Sequence, residues 1–139
     1  MISLHNKNAV IYGAGGSLGG AMAKAFAASG AKVFITGLHL EKVQRVANEI
    51  AASGGHAEAA QVDALDEKAV NDHIAAVVKK AGTVDISFNA AWNGVVQGVP
   101  LTEISVKDVI RPIEMAIQSR FRTAVGAVIA PPLIAVVLT

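Results

Sequence analysis

The sequence predicts an α/β protein built on a doubly wound parallel sheet, with helices on both faces and an end after about five strands. Short apolar runs alternate with amphipathic stretches of about 10 to 15 residues, the spacing of β-α-β units. Glycines end several of these stretches, as helix stops do. The chain has 139 residues and 53% of them are hydrophobic. This is enough for a packed core, and one domain over residues 1–139 is expected.

The first half of the chain is predicted to hold three strands and two helices. Ala9–Tyr12 is an apolar run that ends at glycines, and Leu18–Ala28 is a helix of small residues closed by Ser-Gly. Lys32–Thr36 is a second strand, rich in β-branched and aromatic residues. Glu41–Ala52 has apolar residues three and four apart, the period of an amphipathic helix. His56–Val62 is predicted as a third strand, more from its position than from its composition.

The second half continues the alternation. Asp66 is predicted to cap a helix whose apolar residues recur at helical spacing. Val84–Phe88 is the fourth strand, and a loop rich in glycine and polar residues follows it. Ile104–Ala130 is predicted to be mostly helical with an interruption at Pro112. Leu133–Leu138 is predicted as a fifth strand.

Composition argues against several classes of function. Lys plus Arg is 12 and Asp plus Glu is 11, whereas a nucleic-acid-binding domain usually carries a clear basic excess. The chain has no cysteine, and its four histidines show no paired metal spacing, so no metal site is predicted. No secretory signal is recognised, and Pro131-Pro132 interrupts the uncharged C-terminal stretch. We therefore expect a cytoplasmic protein that binds neither membrane nor nucleic acid.

The glycine-rich run between the first strand and the first helix predicts a phosphate-binding loop. Its first glycine can turn the chain off the strand, and the next two would let a pyrophosphate approach the backbone. The free N–H groups that open the helix would point toward the anion. A turn that binds no ligand is the alternative. The candidate cofactor-binding residues of this run are Gly13, Gly15, Gly16, Ser17, Leu18 and Gly19.

These residues resemble the N-terminal half of the short-chain dehydrogenase/reductase family, whose loop is Thr-Gly-x-x-x-Gly-x-Gly. Gly13 and Gly19 match its first and last glycines. Ser17 stands in place of the middle glycine, and Tyr12 stands in place of the threonine. The resemblance extends over essentially the whole chain and implies a Rossmann-like fold that binds NAD or NADP.

Two further segments carry the same resemblance. Asp63 follows the third strand, where the family uses an aspartate to contact the adenine. Asn89, Ala90 and Ala91 follow the fourth strand, where the family has Asn-Ala-Gly. All four residues are therefore candidates for cofactor binding. Trp92 comes next and either lines a ligand pocket or packs as a loop aromatic.

The end of the second strand bears on the choice of dinucleotide. An acidic residue there would bind the ribose 2′-OH and favour NAD. The segment instead contains Leu38 and His39, with no carboxylate before Glu41, and the arginine that NADP-specific relatives carry near Leu38 is missing. His39 either meets a 2′-phosphate or is a solvated loop histidine. We expect NADP or NAD, with a preference for NADP.

The resemblance implies catalysis by a serine, a tyrosine and a lysine from the family's second half, and this chain shows no such set. Tyr12 is its only tyrosine, and Gly16 rather than a lysine stands four positions later. Ala116 stands where the family often has a helix asparagine. We therefore predict no catalytic residue, and no hydride transfer by this chain alone. A shortened gene, a frameshift, a processed fragment and a natural half-domain all remain open as explanations.

The long helix bears on partners. Its apolar residues recur at helical spacing, and in the family the corresponding helix packs against its copy in a second subunit. A homo-oligomer through the helix at 106–130 is therefore expected. Three functions stay open: an NAD(P)-binding domain of oxidoreductase type, a non-catalytic dinucleotide-sensing or subunit-assembly module, and a structural fragment with a vestigial cofactor loop. The sequence carries no signal for the substrate.

Overall fold

The structure, a computed structural model, describes residues 2–92, 94, 96–129 and 136–138. Strands and helices alternate along these residues. The elements are β1 (Asn8–Tyr12), α1 (Ser17–Ala28), β2 (Lys32–Gly37), α2 (Leu40–Ala52), β3 (His56–Gln61), α3 (Glu67–Ala81), β4 (Ile86–Asn89), α4 (Val106–Ile129) and β5 (Val136–Leu138).

The strands form one sheet in the order β3-β2-β1-β4-β5, and every neighbouring pair is parallel. The chain moves outward from β1 to β3 and then crosses back to β4. This reversal opens a crevice at the carboxyl ends of β1 and β4, the place where open α/β sheets bind ligands. The predicted Rossmann-like α/β class is confirmed.

Side chains of the central strands alternate between two buried clusters. Ile11 and Ile35 lie in the cluster under α1 and α2. Val10 and Phe34 lie in the cluster under α3, and α4 packs beside α3 on the same face. All five residues of β1 are buried, as expected of a strand covered by helices on both faces. The core thus holds the carboxyl ends of the strands in fixed register.

The fourth strand differs from its prediction at both ends. It begins at Ile86 rather than Val84, because the Asp85 carboxylate accepts the Asn8 N–H at 2.8 Å in place of a main-chain carbonyl. It also includes Asn89, predicted as the first loop residue, which pairs with Tyr12 in the register of β1 and β4. The first residue beyond the sheet at this point is therefore Ala90.

The interruption predicted at Pro112 is wrong, because α4 runs through it as one helix. Proline removes one N–H donor and strains the preceding turn without necessarily ending the helix. Ser105 stabilises the start by accepting the Asp108 N–H at 3.1 Å. Thr123, further along, is buried against the sheet.

Among the helices of the described ranges, none combines the length and the apolar character that a membrane span requires.

The fifth strand is confirmed over residues 136–138, where it pairs with β4. Residues 133–135 of the predicted strand, and residue 130 of the predicted helix, lie outside the described residues.

Candidate functional site

Two glycines of the loop after β1 are required by close backbone packing. Gly13 has a φ of +73°, and a methyl group placed on it would lie 2.6 Å from the Ala91 nitrogen. A methyl group on Gly19 would lie 2.9 Å from the Ala14 Cα and would overlap the Gly13 carbonyl group. These are the two positions that match the family's first and last glycines. Ser17, at the middle position, is exposed and meets no such constraint.

The loop ends at the N-terminus of α1, with Gly16 as the cap residue. The first bond into the helix runs from the Gly20 N–H to the Gly16 carbonyl at 2.9 Å. The amides of Ser17, Leu18 and Gly19 precede it and have no partner within the helix, as in any α-helix. They are therefore available to an anion, whose charge the helix dipole would stabilise.

A cleft with a volume of about 180 Å³ lies beside this loop. Residues from the carboxyl ends of β1, β2, β3 and β4 all contribute to its wall. Seven of the predicted cofactor residues line it: Gly13, Gly15, Gly16, Leu38, His39, Asp63 and Ala91. The structure thus brings together loops that are far apart in the sequence.

The other five predicted residues do not line the cleft. Ser17, Leu18 and Gly19 lie at the start of α1, next to the lining glycines. Asn89 is buried and supports the wall from behind. Its side chain donates a hydrogen bond to the Thr123 hydroxyl and accepts one from the Ala91 N–H. Ala90 donates its N–H to the Tyr12 carbonyl at 2.9 Å and so continues the sheet into the loop.

Sequence reasoning missed several residues of the wall. Lys42 is the most informative, because it places a cation beside Leu38 and His39. The signal that could have revealed it is its position in the first turn of the helix that follows β2. Trp92 was not missed, since the sequence left it open as a pocket residue or a packed loop aromatic. It lines the cleft and is 73% exposed, so it is a rim residue. The remaining wall residues are Gly37, Val43, Val62 and Ala64.

The carboxylate of Asp63 is held by its own loop. Its Oδ1 accepts the Leu65 N–H at 2.8 Å, and its carbonyl accepts the Asp66 N–H at 3.0 Å. The side chain is exposed and lines the cleft on the side of β3. A hydrogen-bond acceptor is therefore held at a defined place in the wall.

Tyr12 does not point its hydroxyl at solvent. The residue is fully buried in the cluster under α3, and its hydroxyl has no hydrogen-bond partner among the described residues. Burial raises the pKa of this phenol well above its usual range.

In the part of the chain that the structure describes, no group of three His, Asp or Glu side chains is arranged as metal ligands would be.

Comparison with known proteins agrees with this geometry. The short chain dehydrogenase family model matches residues 7–131. The chain is 34% identical over 108 residues to gluconate 5-dehydrogenase of Gluconobacter oxydans, a match that covers 78% of this chain and 41% of that protein.

Solved structures give the same result. A hydroxysteroid dehydrogenase from Escherichia coli is 29% identical with a TM-score of 0.78, and the match covers 90% of this chain and 52% of that one. A metagenomic short-chain oxidoreductase in complex with NADP is 28% identical with a TM-score of 0.79, with coverages of 91% and 57%. The chain spans about a third to two-fifths of the length of the first curated relatives, from 32% to 41%. Since the family model covers most of its residues, the chain belongs to the short chain dehydrogenase family.

Proposed function

We propose that the chain binds one NAD(P) dinucleotide in the cleft at the carboxyl ends of β1 to β4. The observation that carries this proposal is the junction of the Gly13 turn with the open N-terminus of α1 at the edge of the cleft. Backbone N–H groups at a helix start suit a pyrophosphate. The solved relative in complex with NADP supports the same class of ligand.

The wall residues suggest how the dinucleotide lies. The pyrophosphate faces the loop from Gly13 to Gly19, and Asp63 accepts a hydrogen bond from the adenine. Leu38 and His39 border the adenosine ribose, and Asn89, Ala90 and Ala91 close the opposite side. This assignment uses every predicted site residue, either as wall or as direct support of the wall.

NADP is the preferred dinucleotide in this proposal. The part of the wall at the end of β2 holds His39 and Lys42 and no carboxylate. A methyl group on Gly15 would lie 3.0 Å from the Lys42 Cβ, so the stem of this lysine packs beside the glycine loop. Its ammonium group can therefore pair with a 2′-phosphate, which NAD lacks.

The chain by itself is proposed to bind the cofactor without catalysing hydride transfer. A dehydrogenase of this type needs a group that exchanges a proton with the substrate oxygen. The only tyrosine of the sequence is Tyr12, and its hydroxyl is buried under α3 rather than lining the cleft. Oxidoreductase activity is accordingly a property of the family that this chain is not expected to show alone.

A titration tests the proposal. The chain is titrated with NADPH and with NADH, and binding is followed by nicotinamide fluorescence and by calorimetry. Saturable one-to-one binding in the micromolar range is expected. No binding of either dinucleotide at millimolar concentration would reject a working cofactor site and favour a structural role. Reduction of a panel of carbonyl compounds by the purified chain with NADPH would contradict the proposed lack of catalysis.

A second proposal concerns assembly, and α4 carries it. Ile113, Ile117 and Phe121 lie four residues apart on this helix and are 55%, 63% and 69% exposed. Such a row of exposed apolar side chains suits a packing surface. We propose that two chains associate through this row.

A single domain over residues 1–139 and a cytoplasmic location stay predictions from the sequence.

A further inference from the structure

Two adjacent residues of α4 form hydrogen bonds with two different segments that support the walls of the cleft. Arg122 contacts the loop between β3 and α3, and Thr123 contacts the last residue of β4. Neither residue lines the cleft itself. One turn of a helix outside the cleft is therefore bonded to two of its walls.

Thr123 acts through Asn89. The Asn89 Nδ2 donates to the Thr123 Oγ1 at 3.1 Å, and the Thr123 hydroxyl donates to the Ser119 carbonyl at 3.0 Å. The other end of the Asn89 amide, Oδ1, accepts the Ala91 N–H at 2.9 Å. The two bonds of the threonine hydroxyl are buried and the Ala91 bond is partly buried, and the series ends at the backbone that packs against Gly13. The orientation of the Asn89 amide thus depends on the threonine hydroxyl.

Arg122 acts on the opposite wall. Its guanidinium donates a hydrogen bond to the Leu65 carbonyl. The Leu65 N–H donates to the Asp63 Oδ1. A charged donor on a carbonyl is among the stronger hydrogen bonds in proteins. The loop that carries Asp63 and Ala64 is therefore attached to α4 at Leu65.

We propose that Arg122 and Thr123 are positioning residues that set the separation of the two walls of the cleft. This inference rests on the proposed function, because the walls matter only if a dinucleotide binds between them. Loss of either contact leaves the fold intact but lets its loop move, so affinity for the dinucleotide falls. From the net value of a hydrogen bond we expect the dissociation constant to rise about 3- to 10-fold for each.

The experiment compares Thr123→Val, which keeps the shape and removes the hydroxyl, with Thr123→Ser, which restores it. Ser119→Ala is the matched control, because Ser119 is also buried on α4, and its hydroxyl bonds to the Ala116 carbonyl of its own helix and to no other described residue. Arg122→Met is compared with Arg120→Met, two residues earlier on the same helix. Each variant is titrated with NADPH, and its free energy of unfolding is measured with urea. Amide hydrogen exchange at Leu65 and Ala91 is followed without ligand.

The expected result is weaker NADPH binding and faster Ala91 exchange in Thr123→Val, with near-normal values in Thr123→Ser and Ser119→Ala. Arg122→Met is expected to weaken binding and to speed exchange at Leu65, unlike Arg120→Met. Equal dissociation constants in all variants would overturn the inference while leaving the proposed function intact. If the unchanged chain binds no dinucleotide, the proposed function fails. The exchange rates then decide the positioning role, and unchanged rates would overturn it.

Discussion

Tyr12 shows the cost of a polar atom that the fold buries without a partner. Its hydroxyl lies in the cluster under α3, surrounded by aliphatic side chains. A buried group that makes no hydrogen bond loses its hydration without compensation. We expect Tyr12→Phe to raise the free energy of unfolding by about 1 kcal/mol, measured by urea denaturation. A loss of stability of similar size would contradict this, because it would mean that the hydroxyl makes a favourable bond.

Lys42 is the residue that most directly separates the two dinucleotides. If its ammonium group pairs with the 2′-phosphate, Lys42→Ala should raise the dissociation constant of NADPH about 10-fold, the value of one charge-assisted bond. The dissociation constant of NADH should change little. Lys32→Ala is the control, because Lys32 is an exposed lysine at the amino end of β2, whereas the cleft lies at the carboxyl end of that strand. An equal loss for both dinucleotides would refute this role of Lys42.

Residues differ in how far the sequence could predict them. Gly13 and Gly19 belong to a local pattern, and the structure shows that a side chain at either position would collide with backbone. Lys42 belongs to no such pattern, since helices commonly carry lysines and only the tertiary fold places this one beside the glycine loop. The same holds for Arg122, whose partner lies 57 residues away in the chain.

At the scale of elements, the helix α3 and the edge strand β3 hold a histidine that should make stability depend on pH. His73 is largely buried, and its Nε2 has no hydrogen-bond partner among the described residues. Burial lowers its pKa from the ordinary value of 6.5, and the nearby Glu58 acts in the opposite direction. Lys80 also faces this space and bonds to Glu58.

The sign follows from the direction of that shift. Below about pH 6.5 the unfolded chain binds a proton that the folded chain resists, so the free energy of unfolding should fall as the pH falls. The Lys80 hydrogen bond lowers the pKa of Glu58, so its contribution is lost only below about pH 4.5, the ordinary value of a glutamate. Urea unfolding between pH 7 and 5 therefore avoids the titration of Glu58. His56, whose Nε2 lies 3.5 Å from the Glu58 Oε1, is present in both the unchanged chain and the His73→Phe variant, so their difference reports on His73. His73→Phe should flatten this slope, and an unchanged slope would show that another group causes it.

The order and type of the elements could be predicted because each has its own periodicity and stop signals. The boundaries that failed are those decided by contacts with distant parts of the chain. β4 starts late because the Asp85 carboxylate takes the Asn8 N–H. α4 continues through Pro112, where the buried face of its second half, which includes Thr123, compensates for one missing bond. Local propensity shows neither effect, since Asn8 is far from Asp85 in the sequence. Thr123 likewise packs against the distant Asn89 of the sheet.

At the scale of the whole molecule, the exposed apolar row on α4, formed by Ile113, Ile117 and Phe121, is the proposed contact between two chains. Phe121→Asp places a charge at the C-terminal end of this row, on its most exposed member, without touching the buried side of the helix. If two chains associate there, the variant should have the mass of a single chain by light scattering at micromolar concentration, while the unchanged chain has twice that mass. Leu101→Asp is the control, because Leu101 is 89% exposed but lies outside α4.

Cofactor binding should survive that separation. The bonds from Arg122 and Thr123 to the walls of the cleft all lie within one chain, so a single chain retains both walls. We therefore expect Phe121→Asp to bind NADPH with a dissociation constant within about 2-fold of the unchanged chain, which is less than the loss of one hydrogen bond would cause. A larger loss in a monomeric, folded variant would show that α4 is held in place by its partner. Assembly and cofactor binding would then be coupled through this helix.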